Sequence, residues 1–347
     1  MTTYCLDPQQ LADALAEKEG IVTFAPVPTE GMSWLGIGVA EPDPSALREP
    51  RSAQSPKGAV FPASESVGRY GPKAGTATDT LPKSIVLVGV RACELRAIRY
   101  LDRVLLEGDF EDPPYRRRRE ATTLVACDCT GLAETCACTL VGGQPYPNEG
   151  YDVNLTPLDD RFLVEVATPK GEAWLESVGL TDLAEAGEDE LARRDEQRAE
   201  VARRVEEQNA EFEVRASDDT PAPLPDDAAE SWNRFAADCV ECGACTHICP
   251  TCHCFYLYDQ ALGPEEFERL KTWDSCLWST YHRMAGGAGM KLSPRPRLAS
   301  RLANRVLHKF VYSPQQYELL GCVGCGRCVD ACPGAIDIRE VVRELAE

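Results

Sequence analysis

Two stretches near the C-terminal end of the chain share one cysteine spacing, C-x₂-C-x₂-C-x₃-C-P. Three thiolates two residues apart can wrap one face of an iron–sulfur cubane, and the fourth, before a proline, ligates the cluster of the other stretch. The pattern therefore predicts two [4Fe–4S] clusters. Paired C-x₂-C units also build structural zinc sites, but zinc has no need of a doubled eight-cysteine pattern. The predicted ligands of one cluster are Cys239, Cys242, Cys245 and Cys332, and those of the other are Cys322, Cys325, Cys328 and Cys249.

A third group of cysteines follows two stretches that are typical of buried strands. Cys93 comes just after Ser84–Val90, and Cys129 comes just after Thr122–Ala126. The carboxyl ends of two parallel strands meet at one edge of a sheet, where open α/β folds bind their ligands. We expect a third [4Fe–4S] cluster there; a zinc ion or uncoordinated thiols are the alternatives, and Cys127 could replace Cys129. The predicted ligands are Cys93, Cys129, Cys136 and Cys138.

Three further cysteines lie close to the first of the two motifs in the sequence: Cys252, Cys254 and Cys276. They could supply three ligands of another centre, or they could pack as small apolar side chains beside the clusters. The sequence leaves both alternatives open. Cys5 is predicted to be a free thiol. The four histidines have no metal-ligand spacing, so roles in the core or at the surface are the default for each.

The composition of the 347 residues limits the classes of function. A formal charge of −20 argues against nucleic acid or an anionic membrane as the main partner, because both need a positive surface. Three features argue against a disulfide framework. The 17 cysteines are an odd number, the chain is longer than the small secreted domains that depend on disulfides, and the first residues do not resemble a signal peptide. No apolar run is long enough to span a membrane. These features predict a cytoplasmic protein whose thiols bind metal in a reducing compartment.

The elements that would position the cysteines follow from local patterns. Asp7-Pro8 marks the start of a helix that Gly20 closes. The clearest unit is a strand, a helix and a second strand over residues 84–126, which predicts a βαβ unit with a parallel strand pair. Further predictions are strands at 21–24 and 34–39, a long irregular loop at 41–80, and a hairpin at 153–158 and 162–167.

The predicted fold class is α+β, with an N-terminal α/β domain that contains a short parallel sheet and a C-terminal, mainly helical dicluster ferredoxin-type domain. We place these domains at residues 1–181 and 229–347, with a charged helix and a proline-rich linker at 182–228. Residues 255–317 separate the two cysteine motifs as an insertion that we expect to be helical. The charge run at 182–215 is typical of a solvated helix face, and the basic cluster at 115–119 is typical of a local salt-bridge patch.

The chain lacks the motifs of a self-contained enzyme. It has no G-x-G-x-x-G after a strand, no P-loop sequence and no H-E-x-x-H. The cysteine patterns of nickel–iron and sirohaem active sites are absent as well. We therefore predict no catalytic residue. Several one-electron carriers without a site for two-electron chemistry indicate a non-catalytic electron-transfer subunit of a larger oxidoreductase.

Several short runs occur together here in a combination that is specific to one family. They are CPTCHCF at 249–255, WDSC at 273–276, AGG at 285–287, HKF at 308–310, GCVGCGRC at 321–328, KGAVFP at 57–62 with Glu65, and GVRACELRA at 89–97. The chain resembles the iron–sulfur β subunit of cytoplasmic group 3b nickel–iron hydrogenases (sulfhydrogenases), a family that includes the corresponding iron–sulfur subunit of anaerobic sulfite reductase. The family usually has Cys-Asp at Cys93-Glu94 and Cys-Phe-Cys at Cys136-Ala-Cys138; neither change removes a thiolate.

The resemblance covers most of the chain from about residue 55 and implies a cytoplasmic heterotetramer. This subunit would pass single electrons between a flavin-containing NAD(P)-binding subunit and the small subunit of a nickel–iron hydrogenase, which is joined to the hydrogenase large subunit. The alternative within the family places the same electron carrier in an anaerobic sulfite reductase, beside the sirohaem-containing subunit. Neither role involves nucleic acid or a membrane.

Overall fold

The protein is described by a computed structural model over residues 2–16, 18–29, 32–37, 43–72, 84–284 and 293–346. Residues 38–39 of a predicted strand, 73–80 of the predicted loop and 285–287 of the family resemblance lie outside these ranges. The chain forms two compact units. The first consists of Met1–Val60, Leu81–Ala210 and Val323–Cys325, and the second of Phe61–Thr80, Glu211–Cys322 and Gly326–Glu347.

The bounds of the elements are as follows. The strands are β1 (Thr3–Leu6), β2 (Ile21–Thr29), β3 (Met32–Ile37), β4 (Ser64–Tyr70), β5 (Ser84–Val90), β6 (Thr122–Cys127), β7 (Val153–Pro157), β8 (Phe162–Val166), β9 (Phe255–Gly263) and β10 (Glu266–Trp273). The helices are α1 (Pro8–Leu15), α2 (Lys57–Val60), α3 (Ala92–Leu106), α4 (Pro113–Ala121), α5 (Pro169–Ser177), α6 (Glu188–Gln208), α7 (Asn233–Ala236), α8 (Ala244–His247), α9 (Leu298–Leu307), α10 (Ser313–Tyr317), α11 (Arg327–Asp330) and α12 (Ile338–Leu345).

The first unit is built on a seven-stranded sheet with the order β1-β8-β7-β6-β5-β2-β3. The strands at its centre are parallel: β2 pairs in parallel with β5, β5 with β6, and β6 with β7. The predicted βαβ unit is confirmed as β5, α3 and β6, and the predicted hairpin is confirmed as the antiparallel pair β7 and β8. The α+β class with a short parallel sheet is therefore confirmed, and the carboxyl ends of β5 and β6 meet at one edge.

Helix α1 begins where the sequence predicts. The Asp7 carboxylate accepts a hydrogen bond from the backbone N–H of Gln9, and the Gln10 side chain accepts one from the backbone N–H of Asp7. Pro8 occupies the first turn, where no backbone donor is needed. Leu11 and Leu15 bury the apolar face of the helix against the core of the sheet.

The predicted long loop at 41–80 is wrong for much of its described part. A 3₁₀ turn at Pro44–Arg48, helix α2 and strand β4 lie in this segment. The turn at Pro44–Arg48 is capped by the Asp43 carboxylate, which accepts from the backbone N–H of Ser45 at 2.8 Å. Pro and Gly residues mark turns between short elements as readily as they mark one irregular loop.

The charged segments of the first unit behave as the sequence predicts. Helix α6 buries Val201 and Val205 and leaves most of its charged side chains exposed. The basic cluster at 115–119 lies on α4, and its arginines form local ion pairs. Arg116 Nη2 lies 2.7 Å from Glu111 Oε2, and Arg119 Nε lies 3.0 Å from Asp102 Oδ2.

The second unit contains a three-stranded antiparallel sheet with the order β4-β10-β9. Strands β9 and β10 form a hairpin at residues 255–273, so the expectation of a helical insertion at 255–317 is wrong for this part. The tertiary pairing of β10 with β4, which is distant in sequence, favours strand conformation there. Further along the chain, helix α9 continues directly into a π-helical turn at His308–Tyr312, and this turn continues into α10.

No helix within the ranges that the structure describes combines the length and the apolar character needed to cross a membrane.

Candidate metal centres

All seventeen cysteines lie in the described part of the chain, and all are free thiols. A disulfide framework is therefore excluded for this structure. Within the described ranges, no group of three or more His, Cys, Asp or Glu side chains is arranged to hold a single metal ion. Thirteen of the cysteines instead line three cavities, and each of these cavities lies within one unit.

The four cysteines predicted for one ferredoxin-type cluster line a single cavity in the second unit. They come from distant positions in the chain: Cys239, Cys242, Cys245 and Cys332. Gly243 opens helix α8 with a φ of 76°, and a Cβ at this position would lie 2.9 Å from Trp278 Nε1. This tight turn therefore requires glycine. Cys328, which was predicted for the other cluster, also lines this cavity.

Three of the cysteines predicted for the other cluster belong to the second unit: Cys249, Cys322 and Cys328. Near them lies Lys309, whose side chain is only 3% exposed. Its Nζ donates to Cys249 Sγ at 3.3 Å, to Thr251 Oγ1 at 2.9 Å and to the carbonyl of Gly321 at 2.9 Å. Burial lowers the pKa of Lys309, but the neighbouring thiols outweigh it and hold the pKa well above its usual value.

A second buried cation, Arg305, lies among thiols of both motifs and is 5% exposed. Its Nη2 donates to the carbonyl of Cys245 at 3.4 Å, and its Nε has no hydrogen-bond partner among the described residues. Burial lowers the pKa of Arg305, but the thiols around it, including Cys245 and Cys328, have the larger effect. The pKa of Arg305 therefore lies well above its usual value. Because a buried cation is costly without a nearby negative charge, Arg305 and Lys309 favour thiolates or an anionic cluster beside them.

The fourth cysteine of the second cluster set, Cys325, packs in the first unit. It lies in a small apolar cluster with Ala97 and Val323, against which Cys93 packs. The backbone N–H of Ala137 donates to the carbonyl of Gly324 at 2.8 Å, and a Cβ on Gly324 would lie 2.3 Å from the Ala137 carbonyl oxygen. The close approach at Gly324 therefore excludes any side chain there.

The cysteines predicted for the third cluster converge in the first unit. One cavity is lined by Cys93, Cys129, Cys136 and Cys138, and Cys325 of the paired motifs lines it as well. Cys93 lies in the first turn of α3, after β5, and Cys129 lies just after β6, at the sheet edge that the βαβ unit predicts. Burial raises the pKa of the Cys138 thiol to about 12. Buried thiols this close give up their protons far more readily to a metal than to water.

The structure distinguishes Cys129 from Cys127. Cys127 does not line the cavity: it belongs to the core of the sheet, is fully buried, and its Sγ lies 3.6 Å from the carbonyl oxygen of Leu47. Burial raises the pKa of Cys127 to about 11, so this thiol stays protonated near neutral pH. The geometry therefore places Cys129, and not Cys127, among the residues that surround the cavity.

Polar side chains that the sequence did not single out hold the loops of this cavity. Arg91 is buried and donates to four backbone carbonyls, those of Leu47, Glu49, Cys127 and Asp128. At the end of α6, Gln208 Nε2 and Asn209 Nδ2 both donate to the carbonyl of Cys136, at 2.8 and 2.9 Å. The position of Arg91 two residues before Cys93 was the one available signal, since a charged residue after a buried strand needs a polar partner.

Comparisons with known proteins agree with this arrangement. Residues 238–336 match the family model of the 4Fe-4S dicluster domain, which contains both ferredoxin-type motifs. The chain is 32% identical over 266 residues to sulfhydrogenase 2 subunit beta of Pyrococcus furiosus, and the match covers 76% of this chain and 74% of that protein. The chain belongs to the sulfhydrogenase β-subunit family. The family membership and the dicluster domain make it an iron–sulfur electron-transfer subunit, as the sequence resemblance implies.

Proposed function

We propose that the chain relays single electrons between a flavin-containing NAD(P)-binding subunit and the small subunit of a nickel–iron hydrogenase. The observation that carries the proposal is the convergence of Cys239, Cys242, Cys245 and Cys332 on one cavity inside a 4Fe-4S dicluster domain. When bound, a [4Fe–4S] cluster accepts and releases one electron at a time. The relative's name, a sulfhydrogenase subunit, supports hydrogenase subunits as the partners.

The residues proposed to hold the two ferredoxin-type clusters are those of the paired motifs. One set is Cys239, Cys242, Cys245 and Cys332, and the other is Cys322, Cys325, Cys328 and Cys249. The chain's own groups fit such anionic clusters, because Arg305 and Lys309 are buried cations with no carboxylate partner among the described residues. Gly243 leaves the backbone room for the tight first loop.

We extend the proposal to a third [4Fe–4S] cluster on Cys93, Cys129, Cys136 and Cys138. The support is that these four thiols line one cavity. Four thiols around one cavity suit a metal centre, because thiolates are the ligands that iron–sulfur clusters require. Arg91, Gln208 and Asn209 position the loops that carry Cys129 and Cys136 by donating to their neighbouring carbonyls. A reducing, cytoplasmic compartment would keep all these thiols available.

An exposed apolar strand supports association with other subunits. Strand β9 is an edge strand of its sheet, and its side chains are exposed on both faces. Leu257 is 51% exposed, and Tyr256 and Tyr258 stack at 5.5 Å on the surface. Exposed edges and contiguous apolar side chains of this kind are typical of protein interfaces. We propose that another subunit of the hydrogenase complex covers β9.

The test is an anaerobic affinity purification of the tagged native protein, with the co-purifying subunits identified by mass spectrometry. We expect the large and small subunits of a nickel–iron hydrogenase together with a flavoprotein. A sirohaem protein in their place would move the electron relay to sulfite reduction and contradict the hydrogenase partner. Recovery of the iron-loaded chain alone would contradict a fixed place in a complex.

A further inference from the structure

The second unit contains a cavity of about 390 Å³ that neither ferredoxin-type cluster accounts for. Three cysteines outside the predicted cluster sets line it: Cys252, Cys254 and Cys276. Protein interiors are close-packed, and cysteines that serve only as small apolar side chains fill space against their neighbours. Three thiols around an open volume are therefore not explained by packing.

The hairpin brings two of these cysteines together. Cys254 immediately precedes β9, and Cys276 follows β10 after two residues. The backbone N–H of Asp274 donates to the carbonyl of Cys254 at 2.9 Å, which extends the strand pairing beyond the hairpin itself. The Cys254 and Cys276 thiols lie close enough to interact directly. Cys252 lies two residues before Cys254 in the same wall.

One histidine in the cavity wall has the features of a metal ligand. The Nε2 atom of His282 is buried and has no hydrogen-bond partner among the described residues. The ring lies beside the backbone of Cys276, and its unpartnered Nε2 is the nitrogen available to a metal. Metal-ligating histidines typically bind through one ring nitrogen and donate from the other to a carbonyl, a carboxylate or water.

The charges around the cavity also suit a negative occupant. Arg305 and Lys309 both line it, both are buried, and Arg305 Nε lacks a partner in the described part of the chain. None of the described residues that line the cavity is a carboxylate; Asp274 faces Cys254 from outside the lining. Buried cations are stabilised only where a negative charge lies close to them. Three thiolates that share a metal centre supply that charge.

We propose that Cys252, Cys254 and Cys276, with Nε2 of His282 as the non-cysteine ligand, hold a further iron–sulfur cluster in this cavity. It is additional to the clusters on the paired motifs and on the Cys93 group. A Cys₃His set also suits one zinc ion, but ligands at about 2.0–2.3 Å from a single ion close around it. The cavity of about 390 Å³ that these four residues help to line instead leaves room for a multi-iron core.

The experiment measures iron, acid-labile sulfide and zinc in the anaerobically purified protein with its co-purifying subunits. We expect Cys254→Ser and Cys276→Ser each to lose the iron and sulfide of one cluster. The double variant should lose no more than either single variant, because both cysteines serve the same centre. Cys5→Ser, which changes a thiol on β1 that hydrogen-bonds to Glu190, is the matched control and should keep the wild-type iron content.

Wild-type iron and sulfide in both serine variants, or a loss of zinc instead of iron, would overturn the proposal. The His282→Cys variant guards against a serine variant that fails to fold, because a thiolate can replace the imidazole as a ligand. We expect it to keep its iron and to change the electron paramagnetic resonance spectrum of one cluster. An unchanged spectrum would also overturn the proposal. The subunits that co-purify report on the electron-relay proposal separately.

Discussion

The ammonium of Lys309 donates to the thiol of Cys249 across 3.3 Å, and both groups are buried. The contact joins the π-helical turn at His308–Tyr312 to the last cysteine of the first ferredoxin-type motif. A buried positive charge stabilises whichever state of its neighbour is more negative, and a reduced cluster carries one more negative charge than an oxidised one. Lys309 therefore favours the reduced state of a cluster ligated by Cys249.

The first prediction concerns this electrostatic effect. Lys309→Met should lower the reduction potential of one cluster by roughly 60 mV, a tenfold change in a one-electron equilibrium, whereas Lys309→Arg should keep most of the wild-type potential. A redox titration followed by electron paramagnetic resonance measures both. Lys170→Met is the control, because Lys170 donates to the carbonyls of Glu120 and Thr122 in the first unit, remote in sequence from either motif. Equal potentials in all variants would contradict the role of Lys309.

The second prediction separates two cysteines that are neighbours in the sequence. Cys129→Ser should lose the iron and sulfide of one cluster, because Cys129 lines the cavity together with Cys93, Cys136 and Cys138 of its predicted ligand set. Cys127→Ser should keep its iron and lose about 1 kcal/mol of stability, because it places a hydroxyl in the apolar core of the sheet. Iron analysis and thermal unfolding measure these outcomes. Iron loss in Cys127→Ser alone would reverse the ligand assignment.

The sequence singles out the cysteine groups because metal ligation constrains both residue type and spacing, and two of the three predicted sets each line one cavity. Predicting that Cys93 and Cys129 converge required only one further rule, namely that the parallel strands of a βαβ unit end at the same edge of the sheet. The choice between Cys127 and Cys129 was not predictable. Cys127 is the last residue of β6 and Cys129 follows two residues later; the turn between them, held by Arg91, leaves one thiol in the core and places the other at the cavity.

The β9–β10 hairpin and the pocket at its base could not be predicted from local patterns. The pairing of β10 with β4 joins segments about two hundred residues apart, and local propensity carries no information on such a partner. A ligand role for His282 could not be predicted from the sequence for the same reason. No cysteine stands at a metal-binding spacing from it, and only the folded hairpin brings Cys254 and Cys276 into its cavity.

The third prediction concerns the buried guanidinium of Arg91. Arg91→Met should lower the free energy of unfolding by about 3 kcal/mol, because buried carbonyls that now accept hydrogen bonds from it lose their donor. Arg99→Met is the matched control. Arg99 is exposed and pairs with Glu149 at 3.3 Å, so its loss should cost less than about 0.5 kcal/mol. Chemical denaturation under anaerobic conditions compares them, and equal stability of the two variants would contradict the assignment.

The fourth prediction concerns a buried ion pair in the three-stranded sheet. Lys271 on β10 lies directly across from Glu65 on β4, with 2.5 Å between Nζ and Oε1, and both side chains are buried. Glu65→Leu removes the carboxylate opposite the buried ammonium and should cost about 3–5 kcal/mol of stability. The double variant with Lys271→Met should recover most of that loss, since an apolar pair of similar volume needs no counter-charge. Denaturation of the two single variants, Glu65→Leu and Lys271→Met, and of the double variant measures the coupling energy, and simple additivity of the two losses would rule out coupling.

The fifth prediction tests the exposed strand as a subunit interface. Leu257 and Tyr258 are exposed in the protein alone, so replacing both with serine removes little from its own packing. If another subunit covers β9, the variant loses the apolar area that the interface would bury, and recovery of the partner subunits should fall at least tenfold. Phe110→Ser is the control, because Phe110 is 88% exposed on a different part of the chain, between α3 and α4. The iron content of both variants should equal that of the wild type, which separates loss of docking from loss of clusters. Full recovery of the partner subunits with the β9 variant would show that the strand faces solvent in the complex.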